Sequence, residues 1–172
     1  MCQKKINDGY QINFELIRNF DSFMIENVLV SPIPVPHDAR EPCQFRFDCQ
    51  DKSIAIITDL GKITKHVVEK LSKVNLLVLE FNHDEMMLNS SDYPDSLKKR
   101  INGHYGHLEN KESLKLLESI NHLDLQWVIA AHLSEKNNHI ALVKKMIFEI
   151  VDKKNSNVGI IDQELGLEWV ST

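Results

Sequence analysis

NLLVLEFNHD, Asn75 to Asp84, is the stretch on which the reading of this chain turns. An apolar run halts at Glu80 and, past Phe81, gives way to Asn82, His83 and Asp84. A buried parallel strand whose C-terminal end opens into a site has this pattern. Working outward, LQWVIAA from Leu125 stops in the same way at AAHLSEKNN, Ala130 to Asn138. Between the two lies GHYGHLEN, Gly103 to Asn110, a glycine-punctuated loop joining two helix-like stretches. The three motifs and the residue just after the last hold His83, His104, His107, His132 and His139, five of the eight histidines. Histidines gathered at strand ends and loops point to metal or acid/base chemistry rather than core packing.

Upstream, NVLVSPIPV from Asn27 is β-branched and proline-interrupted, which suits an edge or irregular strand over 28–35 ending at Pro36-His37-Asp38. Gln44–Cys49 and Ser53–Thr58, joined by Gln50-Asp51, read as a β-hairpin. Further strands are predicted over 75–80 and 125–131. Helices are predicted over 64–72 (capped by Thr64), 94–102 (opened by Pro94), 111–121 (capped by Asn110) and 138–152. The last carries a stripe of Ile140, Val143, Ile147 and Ile150/Val151. Val158–Ile161 and Leu167–Val170 suggest a closing hairpin through Leu165-Gly166. Residues 1–27 are poorly assigned; QINFELIRNF suits a short amphipathic helix or the remnant of a longer element equally well. Strands alternating with helices after a hairpin predict an α/β fold, a mixed sheet flanked by helices.

Composition narrows the function. At 172 residues, 42 % of them hydrophobic, the chain suits one domain. A net charge of −5 disfavours broad cationic binding of nucleic acid, though a metal site could still take a phosphodiester. Cys2, Cys43 and Cys49 are an odd set without CxxC spacing, so neither a disulfide framework nor a cysteine zinc site is indicated. No membrane-length apolar run and no signal-peptide core are visible, which predicts a soluble, cytoplasmic protein with no membrane partner.

Four polar groups stand where strands should end: His37, Asp59, Glu80 and His132. Zinc or manganese takes neutral imidazole nitrogen and carboxylate oxygen readily, and an aspartate between two histidine-bearing strands can bridge two ions. Each residue has a plainer reading as well. Asp before glycine is a common turn residue, and a strand-end histidine is often a satisfied polar group. Glu80 is more telling, because a carboxylate ending a buried strand needs a partner, and His83, His107 or a metal could be it. His66 and His122 read as solvated and His104 as a loop residue.

The motifs VPHDAREP, ITDLG, LEFNHDEMML, YPDSLKKRINGHYGHLENKES and AAHLSEKNN, in that order, resemble the later part of a metallo-β-lactamase-fold hydrolase. The branch they resemble is the YycJ type, regarded as exonuclease-like and related to ribonuclease Z. The resemblance covers roughly residues 28–172, which would form the C-terminal part of a metallo-β-lactamase-like αββα sandwich. It implies a metal-dependent hydrolase, nuclease or phosphodiesterase in type, with two zinc or manganese ions. It gives His37 and His132 as ligands to one ion each and Asp59 as the bridge. His107 would be the catalytic histidine that serves the leaving oxygen, with Glu80 orienting it. Asn82 and His83 would lie behind the ligands or face substrate. Glu109 replaces the serine of the family's GHLSN.

One family element has no counterpart: these 172 residues contain no HxHxDH. Read as a C-terminal part alone, the chain is expected to be weak or inactive by itself. The implied partners are a nucleic acid or other phosphodiester, an N-terminal half, or a second copy docked on an exposed sheet face. The competing reading is a catalytically silent fragment or interaction module.

Overall fold

The computed structural model describes residues 2–5, 11–14, 16–18, 20–151, 156–162 and 166–172. The strands are β1 (Cys2–Lys5), β2 (Gln11–Phe14), β3 (Phe23–Ile25), β4 (Val28–Pro34), β5 (Cys43–Cys49), β6 (Lys52–Ile57), β7 (Leu76–Glu80), β8 (Trp127–Ala131) and β9 (Asn157–Ile160). The helices are α1 (Lys65–Leu71), α2 (Glu85–Ser90), α3 (Asp95–Ile101), α4 (Asn110–Ile120) and α5 (Ile140–Ile150). β3 to β9 form one seven-stranded sheet in sequence order, while β1 and β2 pair separately. β3 to β6 run antiparallel to their neighbours, and β6 to β9 are parallel. The expected α/β mixed sheet is therefore what the chain forms.

This topology explains why distant residues meet. Parallel β6, β7, β8 and β9 end at one edge, and β4, two antiparallel steps from β6, ends there too. His37, Asp59, Glu80 and His132 all sit at or just past those ends.

One sheet face is covered by helices. Ile33, Ala55, Ile57, Leu77, Leu79, Val128 and Ala130 pack there against Val67 and Leu71 of α1, Leu116 and Leu117 of α4, and Val143 and Ile147 of α5. The opposite face carries the cross-strand row Pro32, Phe45, Ile56, Val78 and Ile129, in which Ile56 is 38 % exposed.

Several expectations need correction. β4 is an interior strand only where β3 pairs with Val28–Val30; beyond that, Pro32 and Pro34 pair with β5 alone, as an edge position allows. QINFELIRNF is not helical over Gln11–Phe14, which pairs with β1. Pro94 is the extended N-cap of α3 rather than its first residue. Asn110 is the first residue of α4, and its side chain turns into the interior instead of capping. A short helix that the sequence reading did not predict, α2, follows the NHD motif, its N-terminus capped by Asp84, which accepts from Met87 N at 3.0 Å. Ile140 of the α5 stripe is 44 % exposed.

The closing hairpin does not form. β9 adds parallel to β8 after the α5 crossover, and 166–172 has no strand; Leu165 lies outside the described residues. Ser171 O instead accepts from Trp127 Nε1 at 3.2 Å. His66 and His122 are half-buried rather than solvated. His122 Nε2 donates to Val74 O at 3.0 Å, and the His66 ring meets the Phe20 ring edge-on. No described helix is long and apolar enough to cross a membrane.

Candidate metal centre

The site begins with strain. Asp59 (φ 54) and His132 (φ 60) both hold left-handed backbone immediately after their strands. For non-glycine residues this costs on the order of 1–3 kcal/mol each, and such outliers gather at functional sites. The bend turns both side chains toward the sheet edge. There Asp59 Oδ1 lies 3.7 Å from His37 Nε2, 3.7 Å from His107 Nδ1 and 3.7 Å from His132 Nε2. The His107 ring is 5.2 Å, centre to centre, from each of the other two.

Glu80, fully buried at the end of β7, anchors two of these rings. Its Oε1 accepts from His107 Nδ1 at 2.8 Å and from His132 Nδ1 at 2.7 Å, while Oε2 accepts from Leu60 N at 2.8 Å. Burial alone would push its pKa up. The bonds from His107, His132 and Leu60 outweigh that and hold the carboxyl below its usual range. In return, the hydrogen bond to Glu80 pushes the His132 imidazole above its ordinary value, against the opposing effect of burial.

Backbone contacts bring the loops together. Gly61 N donates to Pro36 O at 2.8 Å, joining the His37 and Asp59 loops. A Cβ on Gly61 would lie 2.6 Å from Gly106 N, so only glycine lets the His107 loop approach this closely. His37 Nδ1 donates to Gly106 O at 3.1 Å, and Asp38 next to it pairs with Arg100 at 2.5 Å.

Behind the site, Asn110 and Asn138 exchange two amide bonds of 2.9 Å. Asn138 Nδ2 also donates to Phe81 O at 2.7 Å, tying the ends of β7 and β8 to the start of α4. Sequence reading missed this pair. The only signal is an Asn at the close of each histidine motif, which propensity reads as a helix cap. Asn82 Nδ2 donates to His132 O at 3.0 Å, and fully buried His83 donates from Nδ1 to Asn82 Oδ1 at 3.3 Å. Burial pushes the His83 imidazole below its usual pKa. Glu109 pairs with Lys111 at 3.4 Å, and His104 is an exposed loop residue.

The donor chemistry fits a divalent ion. His37 and His132 each donate from Nδ1 to a fixed oxygen, which leaves the Nε2 lone pair on the Asp59 side. Metal–ligand distances of about 2.0–2.2 Å separate the neighbours around a tetrahedral ion by about 3.3–3.6 Å, close to the spacing here. Asp59, Glu80, His107 and His132 also each offer one ligand atom within 4.8 Å of the others.

Residues 3–132 match the Beta-lactamase superfamily domain, and the chain belongs to that family. Among its relatives, exodeoxyribonuclease YycJ of Bacillus anthracis is 30 % identical over 133 residues, 77 % of this chain and 50 % of that protein. Exodeoxyribonuclease WalJ of Streptococcus pneumoniae is 28 % identical over 158 residues, 91 % of this chain and 57 % of that protein. The chain thus spans about half the length of these relatives. In fold it is similar to the metallo-beta-lactamase fold protein YhfI from Bacillus subtilis, with a TM-score of 0.61 and 11 % identity over 84 % of this chain and 51 % of that one.

Proposed function

We propose that this chain carries part of the active site of a metal-dependent phosphodiesterase, an exonuclease-like hydrolase working on nucleic acid in the cytoplasm. The observation that carries the reading is Asp59 Oδ1, 3.7 Å from Nε2 of both His37 and His132. That spacing is too long for a hydrogen bond and suits ligands sharing an ion. The nuclease names of the relatives support a nucleic-acid phosphodiester as substrate.

In this reading residues 28–172 are the C-terminal part of the domain. His37 and His132 would hold one zinc or manganese ion each, and Asp59 would bridge them. Bound ions of this kind polarise a phosphoryl oxygen and bring the pKa of a coordinated water down to about 7. His107, as the imidazolium, would pass a proton from Nε2 to the leaving oxygen, and Glu80 fixes its ring by accepting from Nδ1. Asn82 secures the left-handed turn at His132 through its carbonyl, with His83 packed behind it.

Three protein ligands shared between two ions leave each with about two, fewer than the three or so that a catalytic zinc normally has. The chain alone therefore binds metal weakly and turns over little. A segment bearing HxHxDH completes the set, docking on the sheet face formed by Phe45, Ile56 and Val78. Without that segment the same face promotes self-association.

The test measures bound Zn²⁺ and Mn²⁺ and cleavage of bis-p-nitrophenyl phosphate, with and without the N-terminal half of a YycJ relative. Metal uptake and turnover appearing only on mixing is the expected result. No metal and no turnover in the mixture overturns the hydrolase reading. Two tightly held ions and full turnover by the 172 residues alone overturn the incomplete-site reading.

A further inference from the structure

Beside the imidazoles, His107 and His132 form one side of a cavity of about 300 Å³. Tyr93, Ile101 and Leu133 contribute apolar surface to it, and Asn82, Ser134, Glu135 and Lys136 complete the lining. Tyr93 comes from the segment between α2 and α3, and Lys136 from the loop that follows β8. Lys136 Nζ stands 5.7 Å from the centre of the Tyr93 ring, within cation–π range. No described carboxylate forms an ion pair with Lys136, although its neighbour Glu135 lines the same cavity. Glu135 also lines the adjoining cavity of about 360 Å³, which includes His139 and Asp162.

A cation held over an aromatic ring, next to the residues that serve a scissile phosphate, is a nucleotide-binding arrangement. Lysine binds phosphate as a point charge, but its long side chain must be ordered to do so. The contact with Tyr93 accomplishes part of that ordering in advance. The apolar wall offers the surface on which a base packs, and base–aromatic packing is tolerant of sequence. Ligand pockets run from about 300 to 1,000 Å³, so this one admits a single nucleotide unit rather than a duplex.

We propose that this cavity is a nucleotide subsite. Lys136 pairs with the phosphate next to the scissile one, and Tyr93, Ile101 and Leu133 receive the base of a single-stranded substrate. The assignment rests on the phosphodiesterase reading only for the placing of the scissile bond. Neither Lys136 nor Tyr93 belongs to the metal-ligand set, so the subsite binds without metal.

The experiment titrates the 172-residue chain, in EDTA, against a thymidylate hexamer carrying a 3′ fluorescein, followed by anisotropy at several salt concentrations. Lys136→Ala is expected to weaken binding roughly fivefold and to reduce the salt slope by about one. Lys136→Arg keeps the affinity, and Tyr93→Leu loses part of it. Lys145→Ala, on α5, binds as the parent does. Circular dichroism confirms that each variant is folded. No binding by the parent chain, unchanged binding by Lys136→Ala, or an equal loss in Lys145→Ala overturns the proposal. Failure to take up metal after the missing half is added would sink the hydrolase reading while leaving this titration intact, which separates the two.

Discussion

The two edges of the sheet each carry a polar cluster, and the clusters differ in kind. At the hairpin edge, Arg46 bonds Asp48 at 2.8 and 2.9 Å and Ser53 Oγ at 3.0 Å. Its remaining donors reach Lys70 O at 2.9 Å and Ser72 O at 2.8 Å, carbonyls at the C-terminus of α1. Burial raises the Asp48 pKa, but the Arg46 bond overrides it and holds the carboxyl below its usual range. Opposite charges cancel, the donors are satisfied, and the arginine caps a helix. At the other edge two carboxylates face three imidazoles, with left-handed backbone at Asp59 and His132. The first cluster supports the fold; the second is strained and, in the proposed reading, holds the metal.

The sharpest way to break this contrast is Asp59→Ala or His132→Ala in the enzyme completed by an N-terminal half. Either should abolish turnover, with losses well beyond the roughly 10–100-fold typical of residues behind the ligands. Asp59→Gly should do the same while raising stability by about 1 kcal/mol, because glycine accepts the left-handed backbone without strain. Activity assays with urea unfolding would check both halves of that statement.

His107→Ala comes next, lowering kcat by about 10²–10⁴-fold while metal content, read by atomic absorption, stays unchanged. Glu80→Gln should weaken metal affinity about 10–100-fold, because it removes the charge that holds both imidazoles and sets an amide NH2 against the Leu60 N–H that Oε2 now accepts; metal titration decides this. At the hairpin edge, Arg46→Ala should leave turnover intact and cost about 1–3 kcal/mol in urea unfolding, since it strands a half-buried Asp48. Activity lost in Arg46→Ala in proportion to that in Asp59→Ala would erase the distinction between the edges.

The smallest effect is on pH dependence. Glu80 is lowered in the fold, so its contribution is complete above the ordinary carboxylate pKa and lost as pH falls through the lowered value. His132 is raised, so its contribution is complete below the ordinary imidazole pKa and lost as pH rises through the raised value. Metal-free chain should therefore have a stability maximum between the two, and in Glu80→Gln the acid limb should flatten.

Much of this was legible in the chain itself. The alternating run of β5 and the continuous apolar runs of β6 to β8 located these strands within a residue or two, because a strand buried on both faces has few other ways to hide its side chains. The histidine motifs marked the residues worth following, because polar, ligand-competent groups directly after buried strands demand a partner. Tertiary structure alone decided three things. Parallel pairing put the ends of β6, β7 and β8 at one edge, which no local pattern states, and so brought Asp59, Glu80 and His132 together from 73 positions of sequence. It turned Glu80 into an anchor for two imidazoles rather than one, a matter of register between β7 and β8. It also converted a presumed cap, Asn110, and the presumed first residue of a helix, Asn138, into a buried clamp, and a presumed hairpin into a parallel β9. Local propensity records what a residue does with its own backbone, whereas these outcomes depend on which distant backbone arrives beside it.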